Sequence, residues 1–180
     1  MKGFLTVMIV ATVGFACACS SGGSGGGPVQ SGLTASFIPD QSPPGTKVAA
    51  GQKSNSNSTV TIEITVTDTD PVYAASFDLV YDSTQATYLG WDAGTLLEQG
   101  GQTVNYNVTE SAGELVVSAS REGPVPGADA TGTRTVIELT FQVDVVGSSA
   151  ISYQAETLLD GQQQPQPIPV NWYSGTLTGI

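Results

Sequence analysis

The amino-acid sequence predicts an all-β fold, an antiparallel β-sandwich or jelly roll of about nine strands. Three observations carry this expectation. Apolar and polar residues alternate with period two through several segments, Gly, Pro, Asp and Asn punctuate the chain between them, and no amphipathic helical pattern follows the first 32 residues. Short strands at such spacing favour an antiparallel sandwich over alternating strand and helix units.

The elements can be justified in order. "LTASFI" from Leu33 is a short first candidate. The stretch from Pro39 to Ser58, "PDQSPPGTKVAAGQKSNSNS", is rich in Pro, Ser and Asn and reads as a long surface loop or two turns. In "STVTIEITVTD", Val60, Ile62, Ile64 and Val66 alternate with Thr61, Glu63, Thr65 and Thr67, the pattern of a half-buried strand. In "VYAASFDLVYD", Tyr73, Ala75, Phe77, Leu79 and Tyr81 share one face, and Ala74, Ser76, Asp78, Val80 and Asp82 the other. "TVIELTFQVDVVG" turns Ile137, Leu139, Phe141, Val143 and Val145 inward and Glu138, Thr140, Gln142 and Asp144 outward. "ATYLGW", "TVNYNVT", "ELVVSAS", "AISYQAE" and "NWYSGTLT" complete the set of strands.

The N-terminal segment obeys a different logic. Lys2 is the only charge before Asp40, and Phe4 to Ala18 form an apolar run that matches an export signal in length and flanks. A membrane span needs roughly 18 or more apolar residues, so this run is short for one. Both cysteines of the chain, Cys17 and Cys19, stand at its end, each preceded by alanine and followed within a few residues by Ser and Gly. This junction resembles a bacterial lipoprotein signal, in which the cysteine is lipidated on sulfur and becomes the first mature residue. Cys19 fits that role best and Cys17 is the competing site. The expected organisation is a signal over residues 1–18, a Gly/Ser-rich flexible tether over 19–32, and one domain over 33–180.

Composition removes several function classes. Beyond Cys19 no cysteine remains, and the chain has no histidine, so thiol catalysis, imidazole bases, Ser-His-Asp triads and Cys-based zinc sites lack their parts in the domain. Disulfide stapling is excluded as well. A domain of this size buries roughly 68 to 70% of its unfolded surface and must be held by that core. The chain carries 16 acidic and 5 basic residues, a net charge of -11; without Lys2 the balance is 16 to 4, or -12. Such a surface repels phosphate backbones and makes nucleic acid a poor partner.

The order of segments resembles the cohesin domain, the module with which cellulosomal scaffoldins receive dockerins. The resemblance runs from "VYAASFDLVYD", with its Tyr-Asp ending, through "LGWDAGTLL", "GELVVSASREG" and "ELTFQVDVVGSSAISY" to the closing "LLDGQQQPQPIPVNWYSGTLT". It implies a nine-stranded jelly-roll sandwich without catalytic activity or cofactor, one sheet face of which docks a protein module, in an assembly that degrades polysaccharide. The calcium of such a pair belongs to the dockerin, and no EF-hand-like loop occurs in this sequence. Counting back from Tyr81 and Asp82, the family's outward polar positions fall on Ala74 and Ser76. The outward row Ala74, Ser76, Asp78 and Val80, with Ser118, Ser120 and Glu122, is therefore the candidate partner-binding set.

Other constellations point elsewhere. Asp68 and Asp70 in "TDTDP" have the oxygens for calcium but also suit a turn before Pro71. Trp91, Tyr106, Trp172 and Tyr173 would make a sugar-stacking platform if exposed and coplanar, the mark of a carbohydrate-binding module of related fold. A structural envelope protein without a discrete ligand is a third alternative. A lipid anchor is compatible with all three readings; the expected location is a membrane-anchored envelope lipoprotein with its domain outside the cytoplasm, and Ser20 after Cys19 favours outer-membrane sorting or surface display. Growth with an alkyne-tagged fatty acid should label the full chain and the Cys17→Ser variant but not Cys19→Ser; the reverse pattern would move the lipid to Cys17.

Overall fold

The computed structural model describes residues 32–180, and there the alternating segments become eleven strands. They are β1 (Ala35–Pro39), β2 (Lys47–Ser56), β3 (Thr59–Thr67), β4 (Val72–Val80), β5 (Ala86–Ala93) and β6 (Val104–Ser111). After these come β7 (Glu114–Arg121), β8 (Thr133–Val143), β9 (Gly147–Asp160), β10 (Asn171–Tyr173) and β11 (Gly175–Gly179). The only helical turn among the described residues is a short 3-10 turn at Gln99–Gly101. The expected signal with Cys17 and Cys19, and the tether as far as residue 31, lie outside the described residues.

Six strands form one sheet in the order β1-β11-β9-β4-β7-β6, and five form the other in the order β10-β2-β3-β8-β5. Every strand pair is antiparallel except β10 with β2. This is the expected jelly-roll sandwich with two strands more than the nine expected. The first extra strand is β2, inside the stretch read as loop. Its residues from Gln52 onward are exposed and polar, but Val48 and Ala50 face the core and β3 and β10 pair with it from both sides. Pairing thus overrides a weak local preference. The second comes from "NWYSGTLT", which divides at Ser174 so that β10 joins one sheet and β11 the other. Gly175 permits this crossing, because a Cβ there would collide with the Phe37 ring and the Ile38 carbonyl.

The core follows from the alternation. Val60, Ile62, Ile64 and Val66 of β3 are fully buried, and across the ladder Ile62 pairs with Leu139 and Val60 with Phe141 of β8. The facing sheet supplies Ala75, Phe77 and Leu79 from β4, Leu115 and Val117 from β7, and Ile151 and Leu158 from β9. Aromatic contacts bridge the layers at both ends. Tyr81 lies 5.2 Å from Phe141, and Phe77 lies 5.5 Å from Trp172 of β10. Burying one such large side chain contributes roughly 1.5 to 3 kcal/mol.

Two inward assignments change. Tyr73 was expected on the core face, but a register shift between Val72 and Ala74 buries Val72 instead and turns Tyr73 outward, where its hydroxyl donates to the Gly123 carbonyl at 3.0 Å. Val145 was expected inward as well; β8 ends at Val143, and Val145 is 40% exposed. Asp144 turns in there instead. Its carboxylate accepts from the Thr87 hydroxyl and the Gln142 amide, each at 2.7 Å, which satisfies a buried acid.

Burial also sets a pH limit. The phenols of Tyr81, Tyr88 and Tyr106 are each pushed from 10.0 up to about 12, because desolvation penalises the phenolate, and burial drives Tyr153 upward too. An unfolded chain gives up these protons near its ordinary pKa, before the folded chain does. The stability these groups contribute is therefore complete below about pH 10 and is lost as pH rises towards 12. Urea midpoints should be level at about pH 9 and fall steadily above 10; a level midpoint throughout, with all tyrosines ionising near 10, would contradict the burial.

Candidate docking face

Strand β4 lies inside the six-stranded sheet, between β9 and β7, so its outward residues stand in the middle of a broad surface. The register assembles the expected set. Ala74 is opposite Ser120 and Ser76 opposite Ser118, while Asp78 faces Val116 and Val80 faces Glu114. Strand β6 adds Asn105 beside Ser120 and Asn107 beside Ser118. Strand β9 adds Leu159, Thr157, Gln154 and Ser152 beside Ala74, Ser76, Asp78 and Val80. Glu122 continues the outward parity of β7 just past its end, its backbone N–H donating to the Thr103 carbonyl at 2.9 Å.

Four rows at about 6.7 Å on four strands at about 4.8 Å give a plateau roughly 20 Å long and 14 Å wide. One α-helix, about 10 to 12 Å across, fits on it. Ser76 is exposed, and Ala74, Asp78, Val80, Ser118 and Ser120 are half-buried by their neighbours. Their side chains are short enough to let a helix backbone approach closely. Val116, 46% exposed beside Asp78, completes the set and was not singled out from sequence. It shares the parity of Ser118 and Ser120, and that alternation is the signal in the sequence that could have found it. A bulge in β9 between Gln154 and Thr157 places Ala155 in the left-handed region, at φ 50, and leaves Glu156 exposed beside the plateau.

The end of the plateau near Ala74 is built by loops. Arg121 is buried at 6% exposure, and its guanidinium donates to the carbonyls of Pro126 at 2.9 Å and Gln99 at 2.5 Å. The Gln99 side chain in turn donates to the Asp129 carbonyl and accepts from the Asp129 N–H. This clamp fixes the segment after β7. Between it and the loop after β9 opens a cleft of about 610 Å³, walled by Tyr73, Pro124, Val125, Pro126 and Pro165. The two loops touch where Gly161 meets Gly127, and a Cβ at Gly161 would overlap the Gly127 backbone.

The competing constellations do not assemble. Trp91 stacks on Tyr106 with ring centroids 5.1 Å apart, closing the gap between β5 and β6. Trp172 packs against Phe77 and Tyr153, and with Tyr173 it belongs to β10, at the opposite edge of the five-stranded sheet from β5. No common plane holds these rings. The Asp68 carboxylate accepts from the Gly132 N–H at 2.8 Å, and its own backbone pairs with the Gly132 carbonyl, the arrangement of a loop tie. Among the described residues no group of three His, Cys, Asp or Glu side chains converges to hold a metal.

No curated protein matches the chain. Solved structures share its fold. A cohesin from a type I cohesin–dockerin complex of Clostridium thermocellum aligns with TM-score 0.59 at 17% identity, over 72% of this chain and 95% of that one. The sixth cohesin of Acetivibrio cellulolyticus scaffoldin B, solved with a Cel5 dockerin, gives 0.55 at 20%, over 73% and 97%. A non-cellulosomal cohesin of the archaeon Archaeoglobus fulgidus gives 0.50 at 15%, over 64% and 77%. At the level of sequence pattern, the Cohesin domain family matches residues 45–178, from just before β2 into β11. A family pattern that takes in ten of the eleven strands, on this two-sheet topology, makes the chain a member of the cohesin domain family.

Proposed function

We propose that this chain is a non-catalytic receptor held on the bacterial cell envelope by a lipid on Cys19 and a tether over residues 19–32. Its domain over 33–180 docks a dockerin-type protein module on the outer face of β9-β4-β7-β6. The observation that supports this most is the register that brings Ala74, Ser76, Asp78, Val80, Ser118 and Ser120 onto one flat face. A convergent catalytic site needs a cleft lined by titratable groups. This plateau instead offers two rows of small side chains over a rigid core, as a docking helix requires. Affinity in such an interface resides in a few centrally buried contacts rather than in the whole area. Membership of the cohesin family, and the dockerins bound in two of the solved relatives, support the same partner class. A role in a polysaccharide-degrading assembly follows if the partner's other domains act on polysaccharide.

The test is capture of envelope and extracellular proteins of the source organism on the immobilised full chain, with calcium and again with chelator. Calcium-dependent capture of a dockerin-bearing protein, lost by about tenfold or more in Ser76→Arg and Ser118→Arg, is the expected result. Capture indifferent to both variants and to chelator, or retention on insoluble polysaccharide with no protein captured, would overturn it.

A further inference from the structure

Seven large apolar side chains are exposed among the described residues, and three of them gather at one end of the sandwich. Val145 and Val146 form the turn from β8 to β9 and are 40% and 60% exposed, while Ile180, just past β11, is 71% exposed. The register that pairs Gly147 with Gly179 sets Val146 beside Ile180. The other four lie elsewhere, on β1, β5 and the plateau. Turns ordinarily carry polar residues, and the neighbouring turns at this end, 57–58, 82–85 and 112–113, hold no large aliphatic side chain. The two valines are held in their projecting position. The Asp144 N–H donates to the Gln85 carbonyl at 2.8 Å, and β11 approaches so closely that a Cβ at Gly179 would collide with the Val145 carbonyl.

This is also the end at which the described chain enters the domain. The Thr34 N–H donates to the Ile180 carbonyl at 2.8 Å and the Ile180 N–H donates back to the Thr34 carbonyl at 3.0 Å, so the chain leads towards Cys19 from beside Ile180. Residues 20–32 lie between, and a Gly/Ser-rich sequence of that length has an r.m.s. span of about 20 Å. A lipid on Cys19 thus keeps the apolar end within reach of the bilayer surface. Charge is arranged to match. None of the four cations among the described residues, Lys47, Lys53, Arg121 and Arg134, lies in a turn at this end, while Asp68, Asp70, Asp129 and Asp160 collect at the opposite one. Contact here would be carried by aliphatic surface and not by attraction to anionic headgroups.

Resting on the lipid anchor of the reading above, we propose that Val145, Val146 and Ile180 form a tip that seats the domain in the headgroup layer of the membrane holding the lipid. Seated in this way, the strands stand upright, the plateau opens sideways and the acidic end points outward. A nine-residue strand such as β3 lifts that end about 30 Å from the tip.

The experiment uses the full chain, purified from the envelope of an expressing bacterium and reconstituted in phosphatidylcholine vesicles that contain a headgroup-quencher lipid. An environment-sensitive fluorophore is attached at Val146→Cys or, in the exposed loop at the opposite end, at Gln163→Cys. Quenching at position 146 should exceed that at 163 by about threefold or more. It should persist as salt is raised from about 50 to 500 mM, because no ion pair carries it. Val145→Ser with Ile180→Ser, which change exposed side chains only, should abolish the difference while the chain stays on the vesicles. Equal quenching at 146 and 163 on a retained chain overturns the tip and leaves the anchor standing. A chain that the vesicles fail to retain overturns the anchor and this inference together. A spectral shift at 146 that needs no lipid and grows with protein concentration makes a second copy the occupant and overturns the inference as well.

Discussion

The structure depends on burial between β3 and β8 on one side and β4, β7 and β9 on the other. Nothing covalent assists it. With no cysteine or histidine after residue 19, the domain has neither disulfide nor imidazole-bound metal to staple it. Phe77 and Phe141, with the Ile, Leu and Val residues that alternate around them, have to offset the chain entropy of a domain of this size. The period of two has a second consequence. Every residue committed to the core fixes its neighbours on the opposite face, so Ala75, Phe77 and Leu79, each at most 2% exposed, hold Ser76 and Asp78 in place.

On the docking reading proposed above, recognition is a by-product of packing. The plateau is rigid because β4 is paired on both edges and buried beneath, and it is accessible because its outward residues are small. A rigid, flat, lightly polar surface binds with little ordering cost. Discrimination then falls to whichever positions break the uniformity. On this face those positions are Asp78 with Val116, and the loop-built end held by Arg121. The opposite face of the sandwich is furnished differently, with Thr61 against Thr140 and Thr67 against Thr133 in cross-strand hydrogen bonds and with the Lys53–Glu138 pair, all of which are internally satisfied.

Sequence revealed those parts whose physics is local. The alternation of β3, β4 and β8 was legible because each buries one face against the core; the outward row on β4 followed from parity, while Ser118, Ser120 and Glu122 came from the family resemblance. What was not legible depends on distant partners. β2 is polar over half its length and becomes a strand through pairing with β3 and β10, more than a hundred residues apart from each other in sequence. The division at Ser174 reflects which sheet each half can join, and the outward Tyr73 reflects a bulge opposite β9. Val116 shares the parity of Ser118 and Ser120 and was readable as outward, but its apolar side chain did not mark it as part of a polar face. The cleft beside Tyr73 joins loops separated by the whole of β8 and β9.

The central claim is that one sheet face, and not the other, receives the partner. Hydrogen–deuterium exchange of the full chain, alone and saturated with its captured partner module, tests it most directly. The account predicts added protection in the peptides of β4, β7 and β6, centred on residues 74–80 and 114–120, with β2, β3 and β8 unchanged. Protection confined to β2, β3 and β8, with β4 and β7 exchanging as in the free chain, would contradict it.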